Sequence, residues 1–187
     1  MSYKFDYEDP KKYQVMIDIE TLSNRANSAI LSIGAVKFSI EQGVIDTYYQ
    51  NIDASTAKKF NRHIDKGTLE WWSKKDKAAL KALLEDVKQF DEVIADFVKW
   101  YGVSTPTWGN SAQFDLGIIE SACQELDIPV PWKYWHAYCY KTVTHLFGVN
   151  NAHIRQVENT QGGQWHNALD DAISQTNTLV KILRGES

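Results

Sequence analysis

Cysteine is almost missing from this 187-residue chain: Cys123 and Cys139 are the 2 present, with no C-x-x-C and no Cys/His zinc spacing. A disulfide scaffold and a structural zinc module are both excluded, and the two thiols read as reduced core residues. Proline is scarce as well. The 4 prolines fall between stronger patterns, and there is no Pro/Gly/Ser tract, internal repeat or low-complexity segment, so one domain over 1–187 is expected, with 1–12 as a flexible leader. No apolar run approaches the length of a membrane span. The opening MSYKFDYEDPKKYQ has no apolar core of the kind that secretory signals carry, and a cytoplasmic setting away from membranes is expected. Glycine-rich phosphate loops of the Walker or Rossmann type are absent too. His63, His136, His145 and His153 share no metal-ligand spacing. Finally, positive charge is in deficit. Against 24 Asp and Glu there are 20 Lys and Arg, a formal net charge of −4, where nucleic-acid binders usually show a basic footprint.

What is present is 43% hydrophobic and 12% aromatic, enough for a substantial core. Three runs rich in β-branched and aromatic residues, Tyr13 to Ile19, Ala29 to Phe38 and Val44 to Ile52, predict a three-strand meander. A helical period then sets in near Lys66, with Lys74 to Leu84 as one stretch and Val87, Phe90, Ile94, Phe97, Val98 and Tyr101 as the stripe of another. A strand at Thr105 to Trp108 follows. After it come a helix from Phe114 to Leu126, an extended piece at Tyr134 to Ala137, a helix ending at Gly148, and a last helix from His166 to Leu183. This last helix buries Ala168, Ala172, Thr176, Leu179 and Leu183. The alternation points to an α/β fold with a mixed sheet flanked by helices.

Three acidic motifs lie at element ends. In Val15-Met16-Ile17-Asp18-Ile19-Glu20-Thr21, Asp18 and Glu20 project from the same face of a strand, since side chains alternate with a period of two. Adjacent carboxylates repel unless a cation separates them, and such hard oxygen ligands suit Mg²⁺ or Mn²⁺. A bare D-x-E is also common at a solvated strand end. In Trp108-Gly109-Asn110-Ser111-Ala112-Gln113-Phe114-Asp115, the aspartate enters the first turn of a helix, where a carboxylate equally serves as a cap. The polar turn before it sits at the carboxyl end of a strand, the usual place for a ligand site in α/β sheets. In Trp165-His166-Asn167-Ala168-Leu169-Asp170-Asp171-Ala172, His166 can titrate near neutrality and act as a general base. Helix geometry does not choose between Asp170 and Asp171.

Taken in order, D-x-E, FD and H-x4-D resemble the DEDD exonucleases of the DnaQ-like class, histidine subgroup. The stretches IETLSNRANSAILSIGAVKF, TLEWWSKKDKAALKAL, TWGNSAQFD and WHAYCYKTV are similar to its phage-type and bacterial 3′→5′ branch, which includes phage exonuclease A and the mycobacterial exoribonuclease-like domain. The likeness covers residues 13 to 183. It implies an RNase H-like fold with a central mixed five-stranded sheet. It also implies a 3′→5′ exonuclease that uses two divalent cations, Mg²⁺ or Mn²⁺, and releases nucleoside 5′-monophosphates from single-stranded nucleic acid with a free 3′ end, DNA being set ahead of RNA. The family spacing selects Asp171. On the same likeness Asp18 bridges both ions, Glu20 and Asp171 complete one, Asp115 holds the other, and His166 takes the proton of the attacking water. Thr21 and Leu22 match positions that contact the terminal nucleotide. Asn110 stands in for the amide of the commoner HNxxFD form, from which this chain departs by one residue. The rival readings are a silent nucleic-acid-binding domain of the same fold and an RNase H-like endonuclease. The first leaves the full set of four carboxylates and a histidine unexplained, the second the H-x4-D element.

Lys58 to Lys81 holds 8 Lys and Arg against 3 acids, a net +5 that leaves −9 on the rest of the chain. This segment is expected to form a substrate rim, with Lys74 and Lys75 on phosphates and Trp71 or Trp72 as a stacking platform. Asp18, Glu20, Asp115 and Asp171 alone account for a charge of −4, which two divalent cations would cancel. Charge reversal by Lys74→Glu with Lys75→Glu is expected to weaken nucleic-acid binding and to flatten its salt dependence by about one unit or more per lysine. A binding titration at several salt concentrations checks this, and an unchanged slope removes both lysines from the rim.

Overall fold

The β-branched and aromatic residues of the first third form β1 (Gln14–Thr21), β2 (Ile30–Ser39) and β3 (Gly43–Asn51). The computed structural model, which describes residues 13–75, 77–149 and 167–186, pairs them antiparallel as the predicted meander. Two three-residue strands, β4 (Thr107–Gly109) and β5 (Ala137–Cys139), extend the sheet in parallel on the other side of β1. The resulting order, β3-β2-β1-β4-β5, is the mixed five-stranded sheet expected from the sequence. The N-terminal segment 1–12 and His166 lie outside the described residues.

β1 runs through the centre of the sheet, so both of its faces are covered. Val15, Ile17 and Ile19 turn to one side, where they pack with Val93, Ile94 and Phe97 of α3 (Phe90–Tyr101) and with Ile118, Ile119 and Ala122 of α4 (Gly117–Glu125). Met16 turns to the other, against Ala172, Leu179 and Val180 of α6 (Ala168–Arg184) and Tyr140 of α5 (Tyr140–Leu146). A strand enclosed on both faces reads as an unbroken apolar run, as Val15 to Ile19 does apart from Asp18. Because side chains alternate, Asp18 and Glu20 share the α6 face with Met16.

The boundaries differ from the sequence reading where polar residues interrupt the period. The helical period expected from near Lys66 opens with α1 (Lys66–Trp72), and the stretch expected from Lys74 to Leu84 shortens to α2 (Lys77–Ala82). Asp65 caps α1 by accepting from the Thr68 N–H at 2.9 Å, and Ser73 to Lys75 form a tight turn because they carry no apolar side chain to hold a helix against the sheet. Val87 is exposed, and α3 begins only at Phe90. Leu183 is exposed too, its place in the buried stripe of α6 being taken by Val180 and Ile182. The extended piece at Tyr134 to Ala137 is a single 3₁₀ turn, Tyr134–His136, leading into β5. Within the +5 segment, Arg62 is buried and donates to the carbonyls of Ser28 and Ile118 and to Ser121 Oγ. It staples α4 to the loop after β1 and has no place on a substrate rim.

One close approach fixes where α6 lies. A Cβ on Gly34, whose Cα pairs with that of Asp18, would stand 2.1 Å from the Ala168 carbonyl carbon and 2.2 Å from the Leu169 nitrogen. The first turn of α6 therefore rests on bare strand backbone. Gly34→Ala is expected to destabilise the fold by about 3 kcal/mol, the upper range for overpacking, because the atoms it meets are backbone and cannot rotate away. Urea denaturation checks this, and a cost under about 0.5 kcal/mol would show that α6 docks less tightly than described.

Candidate active site

Three chain segments bring carboxylates to one end of the sheet. Asp18 and Glu20 come from the last turn of the β1 pleat, just before a register shift between Glu20 and Thr21 opposite β2. Such irregularities end strand pairing and re-aim side chains. Asp171 comes from the first turn of α6, which Asn167 caps by accepting from the N–H groups of Leu169 at 3.0 Å and Asp170 at 3.1 Å. One oxygen each from Asp18, Glu20 and Asp171 lie within 4.8 Å of one another. Asp171, and not Asp170, joins this cluster. Asp115 approaches from the carboxyl end of β4, in a wide π-type turn, Ala112–Leu116, that precedes α4. Its Oδ2 accepts the Ser111 N–H at 2.8 Å, so it braces its own turn while facing the cluster. Gly109 makes room for it, since a Cβ there would lie 3.0 Å from the Asp115 Cβ.

The electrostatics of the group are strained. Burial raises the Asp18 carboxyl well above the usual range, and the charges of Asp115, Asp171 and Glu20 push it further up, against a hydrogen bond from Gln175. Burial, with Asp171 and Asp115, takes Glu20 to about 8, while the Lys75 ammonium pulls the other way. Asp115 rises to about 6 through burial, opposed by the N–H of Ser111 and the charge of Lys141. Buried carboxylates facing one another with so little counter-charge form a set of hard oxygen donors that a divalent cation fits.

The other expected residues divide. Thr21 and Leu22 are buried at the strand end, where they fasten α1: the Thr21 carbonyl accepts from Trp72 Nε1 at 2.9 Å and the Leu22 carbonyl accepts from Asp65 N at 2.8 Å. Trp72 is thus a core residue and is withdrawn as a substrate contact, its indole committed beneath the strand end. Trp71 is 44% exposed, with the Lys75 ammonium 3.8 Å from its ring centroid. Lys74 is exposed beside them. The Asn110 carbonyl accepts from Lys141 N at 3.1 Å, tying the turn after β4 to α5. Cys123 is buried as expected, but Cys139 is only half-buried, its thiol 3.7 Å from the Asn110 carbonyl. Gln175 was missed by the sequence reading. It is buried, lies four residues after Asp171 on the same helix face, and its Nε2 donates to Asp18 Oδ1 at 2.8 Å. The signal for it is an amide inside an otherwise small and apolar stripe.

Residues 13–183 match the family described as the 3′-5′ exoribonuclease Rv2179c-like domain. The exodeoxyribonuclease of Enterobacteria phage T4 is 21% identical over 129 residues, 61% of this chain and 57% of that protein, so the chain spans little more than half of the length of that relative. Among solved structures, the nuclease domain of 3′hExo, a DEDDh family member bound to rAMP, aligns with a TM-score of 0.58 at 14% identity, covering 93% of this chain and 92% of that one. E. coli exonuclease I in complex with a dA16 oligonucleotide aligns at 0.63 and 12% identity, over 93% of this chain and 41% of that one. The fold is accordingly that of RNase H-like DEDDh exonucleases.

The raised carboxyl pKa values fix the sign of a pH dependence. A folded chain that keeps protons which the unfolded chain releases gains stability that is full below the unfolded values, and loses it as pH rises through about 6 for Asp115 and about 8 for Glu20. In EDTA, the unfolding temperature is expected to fall between pH 5.5 and 8. Added Mn²⁺ or Mg²⁺ restores it at pH 8 and does little at pH 5.5, since protons and cations compete for the same oxygens. A scanning-calorimetry series checks this. An EDTA profile that rises across the window would contradict the described crowding of charge.

Proposed function

The chain belongs to the 3′-5′ exoribonuclease Rv2179c-like domain family, and on that footing we propose that this 3′→5′ exonuclease trims single-stranded ends to nucleoside 5′-monophosphates with two divalent cations, its whole length acting as one exonuclease domain. The observation that carries this reading is the convergence of Asp18, Glu20 and Asp171 within 4.8 Å, with Asp115 acting on the first two. Asp18 would be shared between the ions, Glu20 and Asp171 would complete one site and Asp115 the other. Cations held there supply charge to both the attacking and the leaving oxygen of an in-line displacement at phosphorus.

The protein's own groups have separable tasks. Gln175 fixes the Asp18 carboxylate and the Ser111 N–H fixes Asp115, so neither needs to reorient during the reaction. Lys75 and Lys141 flank the carboxylates from opposite elements and draw in a phosphate. Trp71 offers a ring to the end nucleotide. His166 takes the proton of the attacking water, a role supported by the family's H-x4-D spacing. DNA stands first as substrate on the sequence reading and on the phage exodeoxyribonuclease likeness. RNA is the second reading, favoured by the exoribonuclease description of the family that covers residues 13–183.

End-labelled single-stranded DNA and RNA, incubated with Mg²⁺, Mn²⁺ or EDTA, test this directly. A ladder shortening from the 3′ end is expected, abolished by EDTA and slowed roughly 10³-fold by Asp18→Ala. His166→Ala is expected to lower turnover roughly 10²- to 10⁴-fold while cations still raise the unfolding temperature. Internal cuts would support an endonuclease, and binding without degradation a silent domain.

A further inference from the structure

Among the described residues, two of the most exposed aromatic side chains stand side by side at the start of β5. Tyr134 is 84% exposed and Trp135 57%, on the 3₁₀ turn that opens the strand, and Tyr138 in the strand is 39% exposed and leans on Trp108 with centroids 5.0 Å apart. The Tyr134 and Trp135 rings stand edge to face, 4.8 Å apart at 85°, so their faces look in different directions as two separate platforms. The turn beneath them is braced. His136 N donates to the Lys133 carbonyl at 2.8 Å, and His136 Nδ1 lies 3.3 Å from Ser104 Oγ.

In sequence this segment brings no acid of its own, although Glu120 Oε1 reaches its start and accepts from Trp132 Nε1 at 2.8 Å. Although there are 24 acidic residues overall, none lies between Asp127 and Glu158, and Lys133 and Lys141 fall within that run. The edge is also continuous with the active site. β5 is parallel to β1 and β4, so its carboxyl end lies with theirs, and Lys141, two residues beyond it, donates its backbone N–H to the carbonyl of Asn110 in the turn that carries Asp115. From there the chain runs back along β5, about 10 Å for its three residues, to Trp135 and Tyr134 on the turn at the strand's amino end.

We propose that this edge is a second binding surface for nucleic acid, which holds the single strand behind the nucleotide being removed: Lys141 and Lys133 meet its phosphates, and Trp135 and Tyr134 stack its bases. Aromatic rings interleaved with lysine suit a polyanion with π faces. Tyr and Trp also suit a protein interface, but lysine is depleted there, and the two lysines beside these rings favour the polyanion. The inference rests on the exonuclease reading.

The test compares the unmodified chain with a Tyr134→Ala, Trp135→Ala double variant, both positions being exposed. Kd for fluorescently labelled dT20 and rU20 is measured in EDTA, and KM for the 20-mer and for a dinucleotide in Mg²⁺. Loss of one stacked base weakens binding roughly five- to 150-fold. Kd for at least one 20-mer is therefore expected to rise about tenfold or more, and the KM advantage of the 20-mer over the dinucleotide to shrink by a similar factor. Unchanged 20-mer affinity in a variant that still trims 3′ ends overturns the proposal and leaves the exonuclease reading intact. A dimer of the unmodified chain that the substitutions split, with 20-mer affinity unaltered, would assign the surface to a second copy instead. A chain that neither binds nor trims any single strand overturns both.

Discussion

Carboxylates gathered in a buried crevice repel one another, and much of this protein answers to that cost. Asp18 and Glu20 are fixed side by side by the pleat of a central strand that cannot turn without losing Val15, Ile17 and Ile19 from the opposite core. Asp171 is delivered by a helix whose first turn rests on Gly34, and Asp115 by a turn that needs Gly109 to be bare. Each local choice tightens the cluster. Among the described residues, Gln175, the N–H groups of Ser111 and Ile19, and the charges of Lys75 and Lys141 relieve it. Such an arrangement costs stability in the absence of cations and gives affinity for them, the trade-off expected where function is built on unfavourable charge.

The rim obeys a different constraint. Trp72 and Arg62 both lie in the segment of net charge +5, and both are drawn inward, one to hold the carbonyl of Thr21 and the other those of Ser28 and Ile118. Lys66 faces Glu70 within α1 at 3.9 Å and Lys81 faces Glu85 just beyond α2 at 3.7 Å, exposed pairs worth little energetically that nonetheless dilute the field. What is left to meet a polyanion is narrower than the +5 count: Lys58, Lys59, Lys74, Lys75 and Lys77 with the partly exposed Trp71, together with Lys141.

The meander, the parallel additions and the carboxylates were legible because each rests on a short-range rule: alternation along β1, a polar turn after β4, an acid in the first turn of α6. The H-x4-D spacing chose Asp171 where azimuth alone did not. Gln175 and Gly34 were not legible, because their roles depend on which face of α6 meets which strand, a tertiary fact. Nor was the break at Ser73, since a lysine-rich run keeps a helical period whether or not it has anything to pack against. The family resemblance supplied roles for Thr21 and Leu22, but it could not say that both would be buried as anchors for α1.

The hydrogen bond from Gln175 to Asp18 joins residues 157 apart in the chain. Nearly the entire polypeptide must therefore leave the ribosome before the crevice can close, and a growing chain carries only separated acids on unfinished strands. Contacts of such long range form late in folding. The carboxylate that the two elements share is thus fixed only once the last helix has docked on the first strand.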